Sequence, residues 1–398
     1  MIYLARINID YGGAELLMEK MAVEYKRTGF EVSILYSRIN PKMEERFIKA
    51  NIPLLKVDNM HQSLGALNNI NQDDIVITFC FLTFMALNES INKKTKIINY
   101  VVTANEMVVG SKVKNKLIKH LTMSQYKALL TRCFKNNQIV VMDQETLDIT
   151  NEYYKTKLMG EMVLLSYNVS NSNDSSLISA RINSRDNAFK ILSVSRADMK
   201  MKAYLIDLIK HFPSFYKKHP ESKLDIITFG DDLDKVKVAY DSIDDVSKKA
   251  ITLYGMQAYE ALKEFFENAT VFIGMGTSVL DASNYSLISV PVMAYSNECV
   301  ASNLFFENPK RVSAVPSLSK DAYELLENIH NLSDEQFMSL SRKSKQALLE
   351  NYDIRKNAEK LLYVVNKSKR IRHGLILKYL ENKRFNKAME VLNETGKM

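Results

Sequence analysis

Two stretches in the second half of the chain combine residue types that handle a phosphate. Ile273-Gly274-Met275-Gly276-Thr277-Ser278-Val279-Leu280-Asp281 leaves an apolar run and enters a helical one. Glycine lets main-chain amides approach a phosphate, and a helix N-terminus turns partial positive charge toward it, so Gly274, Met275, Gly276, Thr277 and Ser278 can cradle a diphosphate. Asp281, on the first turns of that helix, can accept hydrogen bonds from sugar or ribose hydroxyls. The other stretch, Ser193-Val194-Ser195-Arg196-Ala197-Asp198-Met199-Lys200-Met201-Lys202, offers Arg196 and Lys202. Fixed cations stabilise the negative charge that grows on a departing diphosphate, and they do so without a metal.

The spacing excludes other phosphate binders. The GxG lacks the third glycine of a dinucleotide fingerprint, and a Walker loop would need a lysine that is missing. The bland alternatives are a tight strand-to-helix turn with Asp281 exposed on its helix, and a loop bearing surface cations. Asp232-Leu233-Asp234 spells DxD but reads as surface charge rather than a manganese site. The six histidines show no HxH or HExxH spacing, and Cys80, Cys133 and Cys299 form no CxxC pair, so no metal site or disulfide framework is expected.

These residues must be held by an alternation of short apolar strands and longer amphipathic segments, the pattern of parallel sheets covered by helices. Strands are expected at Ile2 to Ile7, Val32 to Tyr36, Ile75 to Phe79, Ile97 to Val102, Ile139 to Met142 and Val163 to Leu165. A second series is expected at Phe189 to Ser195, Leu224 to Phe229, Ile251 to Tyr254, Val271 to Ile273 and Val290 to Ala294. Between the first two strands, Ala14, Leu17, Met18, Met21, Ala22 and Tyr25 share one helix face, closed by Gly29. Six of the twelve glycines, Gly12, Gly13, Gly230, Gly255, Gly274 and Gly276, fall at or just after strands, the ligand-binding ends of such sheets.

The Ser-, Asn- and Asp-rich segment from Ser170 to Asn187 interrupts the alternation. The reading is two doubly wound Rossmann-like α/β domains, 1–170 and 188–360, joined by a linker over 171–187 and followed by a helical extension over 361–398. In that extension Phe385, Ala388, Met389 and Leu392 fall on one face of a short hairpin expected to dock on the body or on a partner.

Composition narrows the rest. Hydrophobic content of 46% with 25% charged residues excludes wholesale disorder. The longest apolar run, Phe79 to Leu87, is far short of the roughly 20 residues of a spanning helix. No secretory pattern opens the sequence, so a cytoplasmic protein is expected. The net charge of +8 favours an anionic partner; its clusters, Lys112, Lys114, Lys116 and Lys119, and Lys367, Lys369, Arg370 and Arg372, read as solvated helix faces or as contacts to an anionic membrane. No nucleic-acid motif is present, and nucleic acid is not an expected partner.

In order along the first nine-tenths of the chain, five motifs resemble those of the family 4 retaining nucleotide-sugar glycosyltransferases. Gly12-Gly13-Ala14-Glu15, then Gly29-Phe30-Glu31-Val32, is similar to the family's GGxE loop and GHEV turn. Leu192 to Arg196 resembles its VGR strand, with Lys202, or alternatively Lys200, as the partnering lysine. Lys223 to Asp231, including Gly230, is similar to its KLxIxGxG strand and loop. Leu253-Tyr254-Gly255-Met256 stands where the family binds the nucleotide base through backbone groups. The glycine loop ending in Asp281-Ala282, followed by Val290-Pro291-Val292, is similar to EGFGLxxxEAxAxGxPV. Ile273 and Asp281 occupy the positions of that motif's two glutamates, and Asn105 and Glu106 stand where a histidine often follows the fourth strand of the first domain.

The resemblance implies a GT-B fold of two Rossmann-like domains and transfer of a hexose-type sugar from a nucleoside diphosphate, most often UDP, to a glycan or lipid-linked acceptor hydroxyl with retention. It implies no metal or other cofactor. Gly13 and the loop with Gly274 and Gly276 would hold the diphosphate, Arg196 and Lys202 would neutralise it, and Asp281 would bind ribose. A leaving phosphate oxygen taking the acceptor's proton accounts for the lack of an obvious catalytic carboxylate pair. Ile273 in place of a glutamate that contacts the donor sugar motivates a second reading: a non-catalytic relative that binds glycan or a sister transferase.

Overall fold

The computed structural model describes residues 1–57, 70–103, 106–108, 116–169 and 174–371. The basic run from Lys112 to Lys119, Asn105, and the extension beyond Ile371 with its hairpin fall outside the residues whose side chains are described.

The chain divides into two compact units: Met1–Tyr167 together with the chain from Ile354 onward, and Asn168–Asp353. In the first, six parallel strands form one sheet: β1 (Ile2–Ala5), β2 (Val32–Tyr36), β3 (Leu54–Lys56), β4 (Ile75–Thr78), β5 (Lys96–Val101) and β6 (Ile139–Val141). Their order is β3-β2-β1-β4-β5-β6, the doubly wound arrangement expected from the alternation. The strands are apolar at successive positions because helices cover both faces. One face packs under α3 (Phe81–Ser90), α4 (Lys116–Lys135) and α5 (Gln144–Tyr154), burying Phe84, Leu87, Leu129, Leu130 and Leu147.

The other face receives α1 (Gly13–Arg27) and α2 (Pro41–Lys49), burying Leu17, Met18, Met21, Ala22, Tyr25, Met43 and Phe47. The expected stripe of α1 is thus its buried face. Its end is closed by paired bonds, Gly29 N–H to Lys26 O at 3.0 Å and Phe30 N–H to Tyr25 O at 3.1 Å.

Two expectations about organisation are corrected here. The second unit does not run to residue 360. Helix α14 (Ile354–Lys367) returns to the first unit, where Ile354, Ala358, Leu361, Val364 and Val365 join the cluster of α1 and Tyr25 Oη donates to Ala358 O at 3.3 Å. An apolar stripe buries itself wherever a matching face is free, whatever the chain order. Val163 to Leu165 also does not form a strand; this stretch makes only an isolated bridge, at Met162 with Val141. Conversely β3 was not anticipated from its three residues.

The expected linker likewise contains structure. Helix α6 (Ser175–Arg185) belongs to the second unit and buries Arg181, which is 2% exposed. Arg181 donates to Tyr285 O at 2.8 Å, Ser286 O at 3.3 Å and Phe266 O at 2.9 Å, and Asp174 beside it accepts from Ser286 Oγ at 2.6 Å. Polar residues that looked like linker are therefore a buried hydrogen-bonding strap. Replacing Arg181 with Met leaves these carbonyls dry and unpaired, and is expected to destabilise the second unit by roughly 3–5 kcal/mol in urea unfolding.

The second unit holds five parallel strands, β7 (Lys190–Arg196), β8 (Lys223–Phe229), β9 (Ile251–Tyr254), β10 (Val271–Gly274) and β11 (Ile288–Pro291), in the order β9-β8-β7-β10-β11. Its connecting helices are α7 (Met199–Lys202), α8 (Tyr204–Lys218), α9 (Leu233–Asp241), α10 (Leu262–Asn268), α11 (Thr277–Asn284), α12 (Ala322–His330) and α13 (Asp334–Asn351). A short turn of helix at Asp245–Lys248 precedes β9. Tyr204, Leu208, Phe212, Val236 and Phe337 are among the side chains packed on this sheet.

Candidate nucleotide-binding site

The second sheet reverses its winding at β7, which turns to β8 on one side and lies against β10 on the other. The ladder between β7 and β8 runs through to Arg196 opposite Phe229, whereas β7 and β10 pair only at Ile191 with Val271 and Leu192 with Phe272. Beyond Leu192 the two strands separate toward their carboxyl ends. Such a reversal opens a crevice where open α/β sheets hold ligands, and Arg196 and Gly274 end the two strands that flank it.

Arg196 is set by the turn that follows it. Ala197 N–H donates to Phe229 O at 2.7 Å, Lys202 N–H to Asp198 O at 2.7 Å, and the Asp232 carboxylate accepts from Met199 N–H at 2.8 Å. Asp232 also pairs with Lys235 at 2.8 Å, so the first carboxylate of the DxD run braces α7 and α9. Gly230 has φ +129°, and a Cβ there would stand 2.8 Å from Ala197 O and 2.9 Å from Arg196 Cγ. Only glycine lets the β8 loop pass this close beneath the arginine.

Lys202 is half-buried near that arginine. Its pKa is pulled down, first by burial and then by the like charge of Arg196, with Asp198 partly opposing. Lys200 is exposed on the same short helix. Of the two candidate lysines, Lys202 is therefore the one whose charge is felt together with that of Arg196. Neither Arg196 nor Lys202 forms a salt bridge among the described residues. Two cations held together without a carboxylate bridge attract a dianion.

The glycine loop approaches from β10. Gly276, the N-cap of α11, has φ +75°; its N–H donates to Val312 O at 2.8 Å, and open space lies where a side chain would stand. No side chain caps this helix, and Ser278 Oγ turns back to Met275 O at 3.0 Å, so the first-turn amides of Thr277 and Ser278 are left to an external acceptor. Met275 is buried. A Cβ on Gly274 would lie 3.7 Å from Tyr204 Oη, and Tyr295 N–H donates to Met201 O at 2.8 Å. The first contact sets the start of α8 beside the glycine loop, and the second ties the Lys202 turn to the segment after β11. Tyr204 and Tyr295 carried no sequence signal.

Asp281 accepts from Tyr259 Oη at 2.8 Å. Tyr259 lies in the loop after β9, so this bond ties α11 to the segment that begins Tyr254-Gly255-Met256. Tyr254 packs edge-on against Phe265 with centroids 4.8 Å apart, Met256 is 74% exposed, and no atom lies within 4 Å of the position a Gly255 side chain would take. The backbone there is accessible, as docking of a flat base requires. Tyr259 was not among the expected site residues, since an exposed tyrosine is unremarkable until its partner is seen. Ile273, by contrast, is 0% exposed and lies within the apolar core.

In the first unit, Gly12 and Gly13 open α1, and Gly13 has no neighbour within 4 Å of where its side chain would be. Glu15 is buried and pairs with Arg6 at 3.1 Å, and Arg6 also donates to Phe79 O at 2.6 Å. Glu106 accepts from Phe81 N–H, while its second oxygen is buried without a hydrogen-bond partner among the described residues. Burial pushes its carboxyl up to about 7, against the pull of the Phe81 amide and of Arg6. A carboxyl whose folded pKa is raised stabilises fully below its unfolded value near 4.5, and that stability is lost as pH climbs through about 7. Urea unfolding of the wild type is accordingly expected to weaken by on the order of 1–3 kcal/mol between pH 4.5 and 7.5, with Glu106→Gln flattening the trend.

No family model matches this sequence, and no curated protein matches it at a significant level. Solved structures do. HepE of Anabaena in complex with UDP superposes with a TM-score of 0.62 at 11% identity, covering 92% of this chain and 99% of that one. A glycosyltransferase from Rickettsia africae gives 0.62 at 12%, covering 92% and 98%. Sucrose-phosphate synthase from Thermosynechococcus elongatus gives 0.59 at 12%, with the same coverage. The chain has the GT-B fold, two Rossmann-like domains with α14 returned to the first. At these identities the likeness extends to fold and not to chemistry.

Proposed function

We propose that this chain is a glycosyltransferase that takes a hexose-type sugar from a nucleoside diphosphate, a UDP-sugar in the simplest case, and passes it to an acceptor hydroxyl with retention, as in family 4. The observation that carries this reading is the pair Arg196 and Lys202 at the winding reversal, beside the uncapped N-terminus of α11. Arg196 and Lys202 take the charge of the departing diphosphate, the amides of Thr277 and Ser278 hold it where the open Gly276 turn lets it approach, and Asp281, oriented by Tyr259, receives the ribose hydroxyls. The backbone of Tyr254, Gly255 and Met256 takes the base, and Gly230 lets the β8 loop pass beneath Arg196. The fold is shared with proteins solved with UDP and UDP-glucose, which supports the donor class.

The acceptor in this reading is a glycan or lipid-linked precursor of cell-surface polysaccharide, reached at the inner face of a membrane. The net charge of +8 supports that placement. Among the described residues no helix is long and apolar enough to cross a membrane, and association would be peripheral. The chemistry requires no metal or other cofactor.

The buried position of Ile273 favours a second reading, a non-catalytic relative that retains diphosphate binding. Thermal melting with a panel of nucleoside diphosphates and their sugars, followed by donor-turnover assays on those that raise the melting temperature, separates the two. A shift with turnover supports transfer. A shift without turnover for any donor leaves the binding protein, and no shift rejects both.

A further inference from the structure

At the opposite end of the second sheet, where strands begin, two histidines far apart in sequence meet. His219 and Glu221 lie in the short connection from α8 to β8, and His330 ends α12. The two imidazoles are 3.9 Å apart between centroids. His330 Nε2 is 2.6 Å from Glu221 Oε1, and His219 Nδ1 is 3.9 Å from the same oxygen. One ligand atom from each of the three residues falls within 4.8 Å of the others. We propose that His219, Glu221 and His330 form a zinc-class divalent metal site.

The chemistry fits on three counts. Two neutral imidazoles and a carboxylate are a frequent donor set for zinc, and a water completes the tetrahedron. With bonds of roughly 2.0–2.1 Å, tetrahedral ligand atoms stand ~3.3 Å apart. The observed 2.6 and 3.9 Å bracket that figure, and the imidazoles, 3.9 Å apart between centroids, must spread by roughly an ångström for both lone pairs to meet at one ion. Finally, the other nitrogen of His219 is already engaged: its Nε2 lies 3.1 Å from Glu327 Oε1. A carboxylate holding the outer nitrogen fixes the tautomer and leaves Nδ1 as the inward lone pair, the usual arrangement behind a metal-bound histidine. His330 then carries its proton on Nδ1, on the side of Asn331 Oδ1.

The surroundings are suited to a structural ion. Phe189 stands edge-on to His330 at 5.0 Å, and Phe215 lies 4.8 Å from His219, giving the pair an aromatic floor. The His330 and Glu221 side chains keep 22% and 24% of their surface exposed, which leaves an entry path from solvent. An ion here would staple the start of β8 to the end of α12, away from Arg196. This proposal is independent of the reading of the nucleotide site.

The test uses the full chain stripped with a chelator and dialysed. Cobalt(II) titration is expected to give visible ligand-field bands of tetrahedral intensity at one ion per chain, and zinc to displace it and raise the melting temperature. Glu221→Gln and His330→Gln, each keeping a neutral hydrogen-bonding side chain, should abolish the bands and weaken zinc binding by at least ~100-fold. Glu327→Ala should weaken it by roughly 10–100-fold through loss of the outer hydrogen bond. Nucleoside diphosphate binding should be unchanged in all three. Absence of cobalt bands in the wild type overturns the proposal. So does a band that survives in folded Glu221→Gln or His330→Gln, since the ion then sits elsewhere; the wild-type spectrum is the deciding measurement if both variants fail to fold.

Discussion

Arg196→Ala is expected to cost roughly 10²–10³-fold in kcat/KM for the donor. It should also weaken UDP binding by at least about tenfold. Each charge-assisted hydrogen bond to a phosphate contributes about 1.5–3 kcal/mol, and a group aimed at charge that grows in the transition state contributes more to rate than to binding. Lys202→Ala should behave similarly, because its ammonium is held close to Arg196 at a cost in burial and like-charge repulsion that a diphosphate relieves. Lys200→Ala, on the exposed side of α7, should change little. Arg196→Lys keeps the charge but not the planar fork, so an intermediate loss is expected. Titration calorimetry with UDP together with donor kinetics checks the series, and equal affinity in Arg196→Ala and wild type would rule out the proposed diphosphate site.

Ile273→Glu, which introduces the glutamate of the family 4 motif that this stretch resembles, is expected to damage the fold rather than improve transfer. The side chain is 0% exposed on the interior strand β10, opposite Val290 of β11, in a cluster with Ile191, Tyr204 and Ile288. A carboxyl placed there has no partner, so it must be buried neutral or force the sheet apart. A loss of roughly 3–5 kcal/mol is expected, enough to unfold many domains of ordinary stability. Burial raises the carboxyl's folded pKa, so the loss should be smallest near pH 4 and grow as the pH rises above the unfolded value of about 4.3. Urea unfolding at several pH values measures this. A well-folded variant with increased donor turnover would show instead that position 273 faces the sugar.

The strand-end positions of the candidate site were legible because their signals are local. A glycine after an apolar run marks a strand end, and a basic residue at that point stands where ligands bind, so Arg196, Gly230, Gly274 and Gly276 could be read in a single pass. Lys202 against Lys200 could not be separated, because their difference lies in which side of a four-residue helix is covered. Tyr259 was invisible for a similar reason: its role depends on Asp281, 22 positions away on another element. The motif resemblance puts Ile273 in a glutamate's place, and the strand carries that side chain into the core.

The sequence by itself determined the two parallel sheets, their principal strands, the amphipathic face of α1 and the loops that carry cations and glycines, because periodicity and turn chemistry act over a few residues. Tertiary structure alone decided that α14 returns to the first unit, that a polar stretch becomes the buried strap of Arg181, and that His330 lies against Glu221 across 109 positions. Such pairings follow from strand order and from which faces remain uncovered when the sheets close. That is a property of the whole packed chain, which no short window of residues contains.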